Sequence, residues 1–103
     1  MEPLTRQQAF ELIRRAESTI RAAGVERLAL FGSVVRNEAH ADSDVDILVQ
    51  FAAGMKTFDR FPALSELLEK LLNRPVELVT TEALSPYLGP HILAEAQDVL
   101  RAA

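Results

Sequence analysis

The segment Leu30–Leu48, LFGSVVRNEAHADSDVDIL, carries the residue types most suited to phosphoryl chemistry. Gly32 at a strand end would let a phosphate approach the backbone with no Cβ in the way, and Ser33 adds a hydroxyl donor where a helical turn would begin. Arg36, one turn further on, can reach the same anion with a planar fork of donors. Twelve positions after Gly32 comes Asp44-Val45-Asp46. Its two carboxylates share one face of a strand, with Cα atoms roughly 6.5 Å apart. Such a pair can grip one or two divalent ions, because Mg²⁺ takes oxygen ligands and keeps water and substrate phosphate oxygens in its shell. Two ions ~3.5 to 4 Å apart stabilise the attacking and leaving oxygens of an in-line displacement at phosphorus. Glu77 offers a third carboxylate.

Each fragment alone has a plainer explanation. A Gly-Ser pair is ordinarily a turn, and a single Asp-x-Asp is ordinarily a solvated edge or a cap. Their order gives them a joint meaning: strand, Gly-Ser, basic residue, short spacer, Asp-x-Asp opening an apolar strand, then a strand with an outward carboxylate. The other polar residues are weaker candidates. His40 and His91 have no Cys or His partner at metal-ligand spacing and read as surface or structural residues. Asp42 reads as a solvated loop acid. Tyr87, in a Pro/Gly-flanked loop, is expected to pack or cap rather than accept a modification. Ser33 has no evident base partner, so anion binding suits it better than nucleophilic attack.

The elements that must position these groups follow from periodicity. Thr5 and Gln8 form a capping box, and Ala9, Leu12, Ile13, Ala16 and Ile20 recur at helical spacing until Gly24, which predicts a helix from Arg6 to Ala23. Val25–Phe31 and Val45–Phe51 read as strands. Leu64, Leu67, Leu68, Leu71 and Leu72 predict an amphipathic helix over Phe61–Asn73, which Pro75 ends. A third strand spans Pro75–Thr80. The stripe Ile92, Leu93, Ala96, Val99 and Leu100 predicts a last helix over His91–Ala102. The order αββαβα implies a small α/β (α+β) sandwich, a mixed sheet with helices mainly on one face.

Strand alternation assigns the faces. Val45, Ile47 and Val49 point one way, and Asp44, Asp46, Leu48 and Gln50 the other. Val76 and Leu78 form the apolar set of the third strand, with Glu77 opposite. If these strands are neighbours, all three carboxylates emerge on the face away from the main helical layer.

Composition sets the outer bounds. A chain of 103 residues, 49% hydrophobic, with neither repeat nor linker, is expected to form one domain spanning 1–103. It would bury roughly 65% of its unfolded surface, too little for a second lobe. No apolar stretch approaches ~18 residues, and the first residues lack a signal peptide's basic-then-apolar order, so a cytoplasmic protein without membrane contact is expected. With no cysteine there is no disulfide framework, thiolate zinc site or Cys nucleophile. The net charge of -4 argues against direct nucleic-acid binding, which needs a basic face.

Gly32-Ser33, Arg36, Ser43-Asp44-Val45-Asp46-Ile47 and Val76-Glu77-Leu78-Val79 resemble the minimal nucleotidyltransferases of the DNA polymerase beta superfamily, small prokaryotic proteins often encoded beside a HEPN-domain protein. The resemblance runs from Val25 to the final helix. It implies that Asp44 and Asp46 bind Mg²⁺, two ions in all, and that Glu77 completes the metal site or deprotonates the acceptor. It also implies that Gly32, Ser33 and Arg36 hold the triphosphate of ATP or another nucleotide. Pyrophosphate would leave as the nucleoside monophosphate joins an acceptor. There are two departures: Asn37 stands where many relatives have Gly, and Glu77 where the carboxylate is often Asp. Asn tolerates a left-handed backbone, so the turn can survive the first; the second lengthens the reach by one methylene.

Two functions fit these residues. The first is a Mg²⁺-dependent transfer of AMP from ATP to a partner-borne acceptor, by resemblance a tyrosine of a HEPN toxin, which makes the chain an antitoxin and part of a homo- or hetero-oligomer. The second is a non-catalytic antitoxin that binds nucleotide and occludes its partner through the leucine and alanine stripes of its last two helices.

Overall fold

The computed structural model describes residues 3–40 and 42–102. A four-stranded mixed sheet with strand order β3-β2-β1-β4 forms its centre. The elements in chain order are α1 (Arg6–Arg15), α2 (Glu17–Ala22), β1 (Val25–Phe31), β2 (Val45–Phe51), α3 (Arg60–Leu72), β3 (Val76–Thr80), α4 (Gly89–Glu95) and β4 (Gln97–Leu100). β1 is antiparallel to both β2 and β4, while β2 and β3 run parallel through the α3 crossover.

The capping box forms as expected, with Thr5 Oγ1 accepting from the Gln8 amide and Gln8 Oε1 from the Thr5 amide. The expected single helix over Arg6–Ala23 is instead two, because Ala16 leaves helical geometry at φ -100°, ψ 14°. The break re-aims the chain: α1 packs on α3 and β4, and α2 on β1, so that Ile13 and Ile20 are both fully buried. With Leu64, Leu68 and Leu72 of α3, these residues cover Leu28, Leu30, Val45, Ile47 and Val49. β1, β2 and α3 lie where the periodicity puts them, α3 starting one residue earlier and ending at Leu72, with Asn73 in the left-handed region at φ 55°. β3 starts at Val76, one residue later than expected.

The last helix is the main correction. The chain expected to be helical over His91–Ala102 leaves the helix at Ala96, which adopts φ -62°, ψ 136°, and continues as the edge strand β4. Pairing with β1 satisfies backbone groups that would otherwise line an open edge. The apolar stripe is split between the two faces of the sheet. Ile92 and Ala96 pack against Ala29, Phe31 and Leu48, whereas Val99 and Leu100 join the helical-side core. A register shift beside Leu28 puts two β4 residues against one β1 step, which lets the adjacent Val99 and Leu100 both face that core.

Candidate carboxylate site

The site lies at the end of the sheet where β1 finishes and β2 and β3 begin. β2 and β3 are neighbours, and their register sets Asp46 directly against Glu77. The core-facing sets Val45, Ile47, Val49 and Val76, Leu78 lie on the helical side, which turns Asp46 and Glu77 to the opposite face. There the side chains of Asp46 and Glu77 are hydrogen-bonded. Burial, then that hydrogen bond, then the negative charges of Glu77, Asp44 and Glu95 push the Asp46 carboxyl up from 3.8 to about 7. When Asp46 carries its proton, it can donate in that hydrogen bond. Asp44 is exposed and close enough for its charge to be felt at Asp46.

Gly32 follows β1 directly and takes φ +76°, a backbone region that L side chains rarely adopt. Its missing side chain is needed twice over, because an ideal Cβ would stand 2.0 Å from Asp46 Oδ2. Residues 32–34 make a 3₁₀ turn, and the buried Val34 and Val35 anchor it in the core. The turn continues through Asn37 N–H to Val34 O at 3.1 Å and ends with Asn37 left-handed at φ 56°. Asn37 therefore supplies the conformation that glycine would otherwise supply, and its Oδ1 accepts from the Arg6 amide at the start of α1. The chain returns to β2 through a turn in which Ser43 Oγ accepts from the His40 amide at 2.8 Å.

Gly32, Asp44, Asp46 and Glu77 are thus gathered at one end of one face. Arg36, read from the sequence as a fork of donors for an anion at this turn, is engaged in two ion pairs. Its Nε donates to Glu38 and its Nη1 to Glu95 at the end of α4. Glu95 is the residue that periodicity missed: read as part of an unbroken helix, it had no reason to lie beside Asp46. His40, Asp42 and His91 are exposed. Tyr87 is 84% exposed and does not pack as expected; Ser85 does the capping there, its Oγ accepting from the Leu88 amide.

Among the described residues, no three His, Cys, Asp or Glu side chains form a ready-made metal cage. The donor set nevertheless suits Mg²⁺. It is all oxygen, it is held apart from every ion pair among the described residues, and the burial and neighbouring negative charges that push the Asp46 carboxyl up to about 7 are what a bound cation would offset. No described helix is long and apolar enough to cross a membrane.

Residues 11–99 match the family model described as a nucleotidyltransferase domain. The chain belongs to that family. A proposed protein adenylyltransferase of Methanocaldococcus jannaschii is 39% identical over 90 residues, covering 87% of this chain and 96% of the relative. Protein adenylyltransferase MntA of Thermococcus cleftensis is 43% identical over 72 residues, covering 70% of this chain and 72% of the relative. Among solved structures, a complex of tri-AMPylated Shewanella oneidensis HEPN toxin with MNT antitoxin contains a similar chain, at TM-score 0.66 and 20% identity, covering 95% of this chain and 74% of that one. The last likeness shows the fold alone. A solved structure described as a proposed minimal nucleotidyltransferase is 36% identical at TM-score 0.70, covering 85% of this chain and 93% of that one. The chain is a nucleotidyltransferase of that minimal type, with a four-stranded mixed sheet.

Proposed function

We propose that this nucleotidyltransferase moves AMP from ATP to a tyrosine hydroxyl of a partner HEPN-domain toxin, and that Asp44, Asp46 and Glu77 are its catalytic carboxylates. The observation that carries this reading is the facing pair Asp46–Glu77 beside the Gly32 turn. Asp44 and Asp46, with Glu77, would hold Mg²⁺. When bound, the metal neutralises phosphate charge and stabilises the oxygens that attack and leave. Gly32 leaves the end of β1 open to a phosphate, and the first amides of the following turn have no carbonyl of their own turn to bond, so they suit its oxygens. Ser33 adds a hydroxyl donor and Arg36 a cation to the same triphosphate. In the overall reaction the acceptor oxygen bonds to the α-phosphorus, the bond to the bridging oxygen breaks, pyrophosphate leaves, and the acceptor's proton passes to a base. Glu77 is the carboxylate assigned to receive it.

The AMP donor and HEPN acceptor are supported by the relatives named as protein adenylyltransferases and by the Shewanella oneidensis complex with its AMPylated toxin. The test is intact-mass measurement of the co-purified HEPN partner after incubation with ATP and Mg²⁺. A gain of one or more adenylyl groups with the parent, and none with Asp44→Ala/Asp46→Ala, is expected. An unmodified partner that is still silenced equally well by both forms would replace this reading with occlusion.

A further inference from the structure

Arg36 stands one turn beyond Gly32 and Ser33, where a guanidinium could meet an anion held at that turn. Two of its three nitrogens are already committed. Nε donates to Glu38 at 3.2 Å, and Nη1 donates to Glu95, a residue 59 positions away in sequence. The two partners are not equivalent. The Glu38 side chain is 65% exposed and its ion pair is well screened, whereas Glu95 is 29% exposed.

Glu95 is in unfavourable electrostatic company. It is the last residue of α4, the end at which a helix's unpaired carbonyls favour cations over carboxylates. Its charge is also felt at Asp46, so it adds a fourth acid to a cluster that already holds Asp44, Asp46 and Glu77. Its placement is nonetheless fixed, because two residues later Gln97 pairs with Leu30 of β1, and the next strand residue, Asp98, is ion-paired to Arg27 at 2.7 Å. The one ion pair of Glu95 among the described residues is with Arg36.

We propose that Glu95 is a positioning residue that stands in for the substrate's phosphate: it holds Arg36 beside the Gly32 turn in the nucleotide-free protein and yields it to the triphosphate on binding. This rests on the assignment of the Gly32–Arg36 turn as the triphosphate site. Glu95 keeps the guanidinium next to that turn, at the expense of a competition that every incoming triphosphate must win. Removing its charge while keeping its shape therefore tightens nucleotide binding.

Calorimetric titration with inorganic tripolyphosphate, and separately with a non-hydrolysable ATP analogue plus Mg²⁺, tests the latch. Glu95→Gln is expected to bind both about two- to fivefold more tightly than the parent, the range that a partly exposed ion pair commands. In an Arg36→Ala background the same substitution is expected to change nothing, since its effect passes through the guanidinium. Unchanged or weaker binding by Glu95→Gln overturns the latch. So does a gain that persists without Arg36, because direct repulsion between Glu95 and the phosphates would then explain it. If the parent binds neither probe, what fails is the triphosphate assignment itself, and the latch fails with it.

Discussion

Asp46 Oδ2 occupies the space in which a Cβ on Gly32 would stand, 2.0 Å from its ideal position. The strand-end turn and the second aspartate of Asp-x-Asp are therefore one packed unit, although Asp46 lies fourteen positions beyond Gly32. Gly32→Ala must either push the Asp46 carboxylate aside or distort the turn, and it also puts an L residue at φ +76°. We expect a loss of about 1 to 2 kcal/mol of stability. Activity should fall at least about tenfold in protein that is still folded, through the loss of positioning. Thermal melts alongside AMP transfer check this, and full activity in the variant would show that Asp46 is not held as described.

Asp46 keeps its proton to about pH 7 in the folded chain, against 3.8 for the ordinary carboxyl. Between those values the folded state binds more protons than the unfolded one, so this group's contribution to stability falls as pH rises from about 4 to about 7. Asp46→Asn cannot ionise. In buffer containing a chelator the variant should melt above the parent at about pH 8, with the gap shrinking towards about pH 4. Asp59 and Glu82, whose carboxyls are shifted down, are present in both proteins and cancel in the difference. A variant that melts below the parent at the higher pH contradicts the raised Asp46 carboxyl.

Glu77 is exposed and stands across the strand register from Asp46. Glu77→Gln keeps a hydrogen-bonding partner for Asp46 but removes the charge and the basicity. The expected result is a loss of about a hundredfold or more in AMP transfer, the scale of losing a general base or a metal-bound carboxylate. At about pH 8, where Asp46 is ionised, the melting temperature of the metal-free protein should not fall, because the repulsion between the two carboxylates is relieved. Single-turnover kinetics with the HEPN partner measures the first, and a melt the second; near-parental transfer would remove Glu77 from the catalytic set.

The edge strand β4 makes a stability prediction. Leu100 is 2% exposed in the helical-side core, while Leu93, from the same apolar stripe, is 50% exposed on α4. Leu100→Ala should cost about 2 to 4 kcal/mol in urea denaturation. Leu93→Ala should stay within about 0.5 kcal/mol of the parent. Equal losses would favour the continuous amphipathic helix over the strand.

Much of this arrangement is legible in the sequence because it rests on local rules. Strict alternation in Val45–Phe51 fixes which face carries Asp46, and the same period in Val76–Thr80 puts Glu77 on that face once the strands are neighbours. Asn37 keeps its turn because its short polar side chain tolerates φ 56°. The failures have a common physical origin. Residues 91–100 match a helical period, and only the need of β1 for a partner on its open side turns Gln97–Leu100 into a strand. Glu95 was invisible for the same reason, since its place beside Arg36 and Asp46 depends on the chain leaving the helix at Ala96. The break at Ala16 likewise answers to the two different surfaces on which α1 and α2 pack.

We propose above that the Asp44–Asp46–Glu77 face transfers a nucleoside monophosphate to the partner. The most direct measurement follows label from ATP to the HEPN protein in the presence of Mg²⁺, with the isotope on the α-phosphate in one reaction and on the γ-phosphate in another. Covalent label is expected on the partner from the α position only, and none from either position with Asp44→Ala/Asp46→Ala. Label from the γ position, or α label that survives the double substitution, would contradict it.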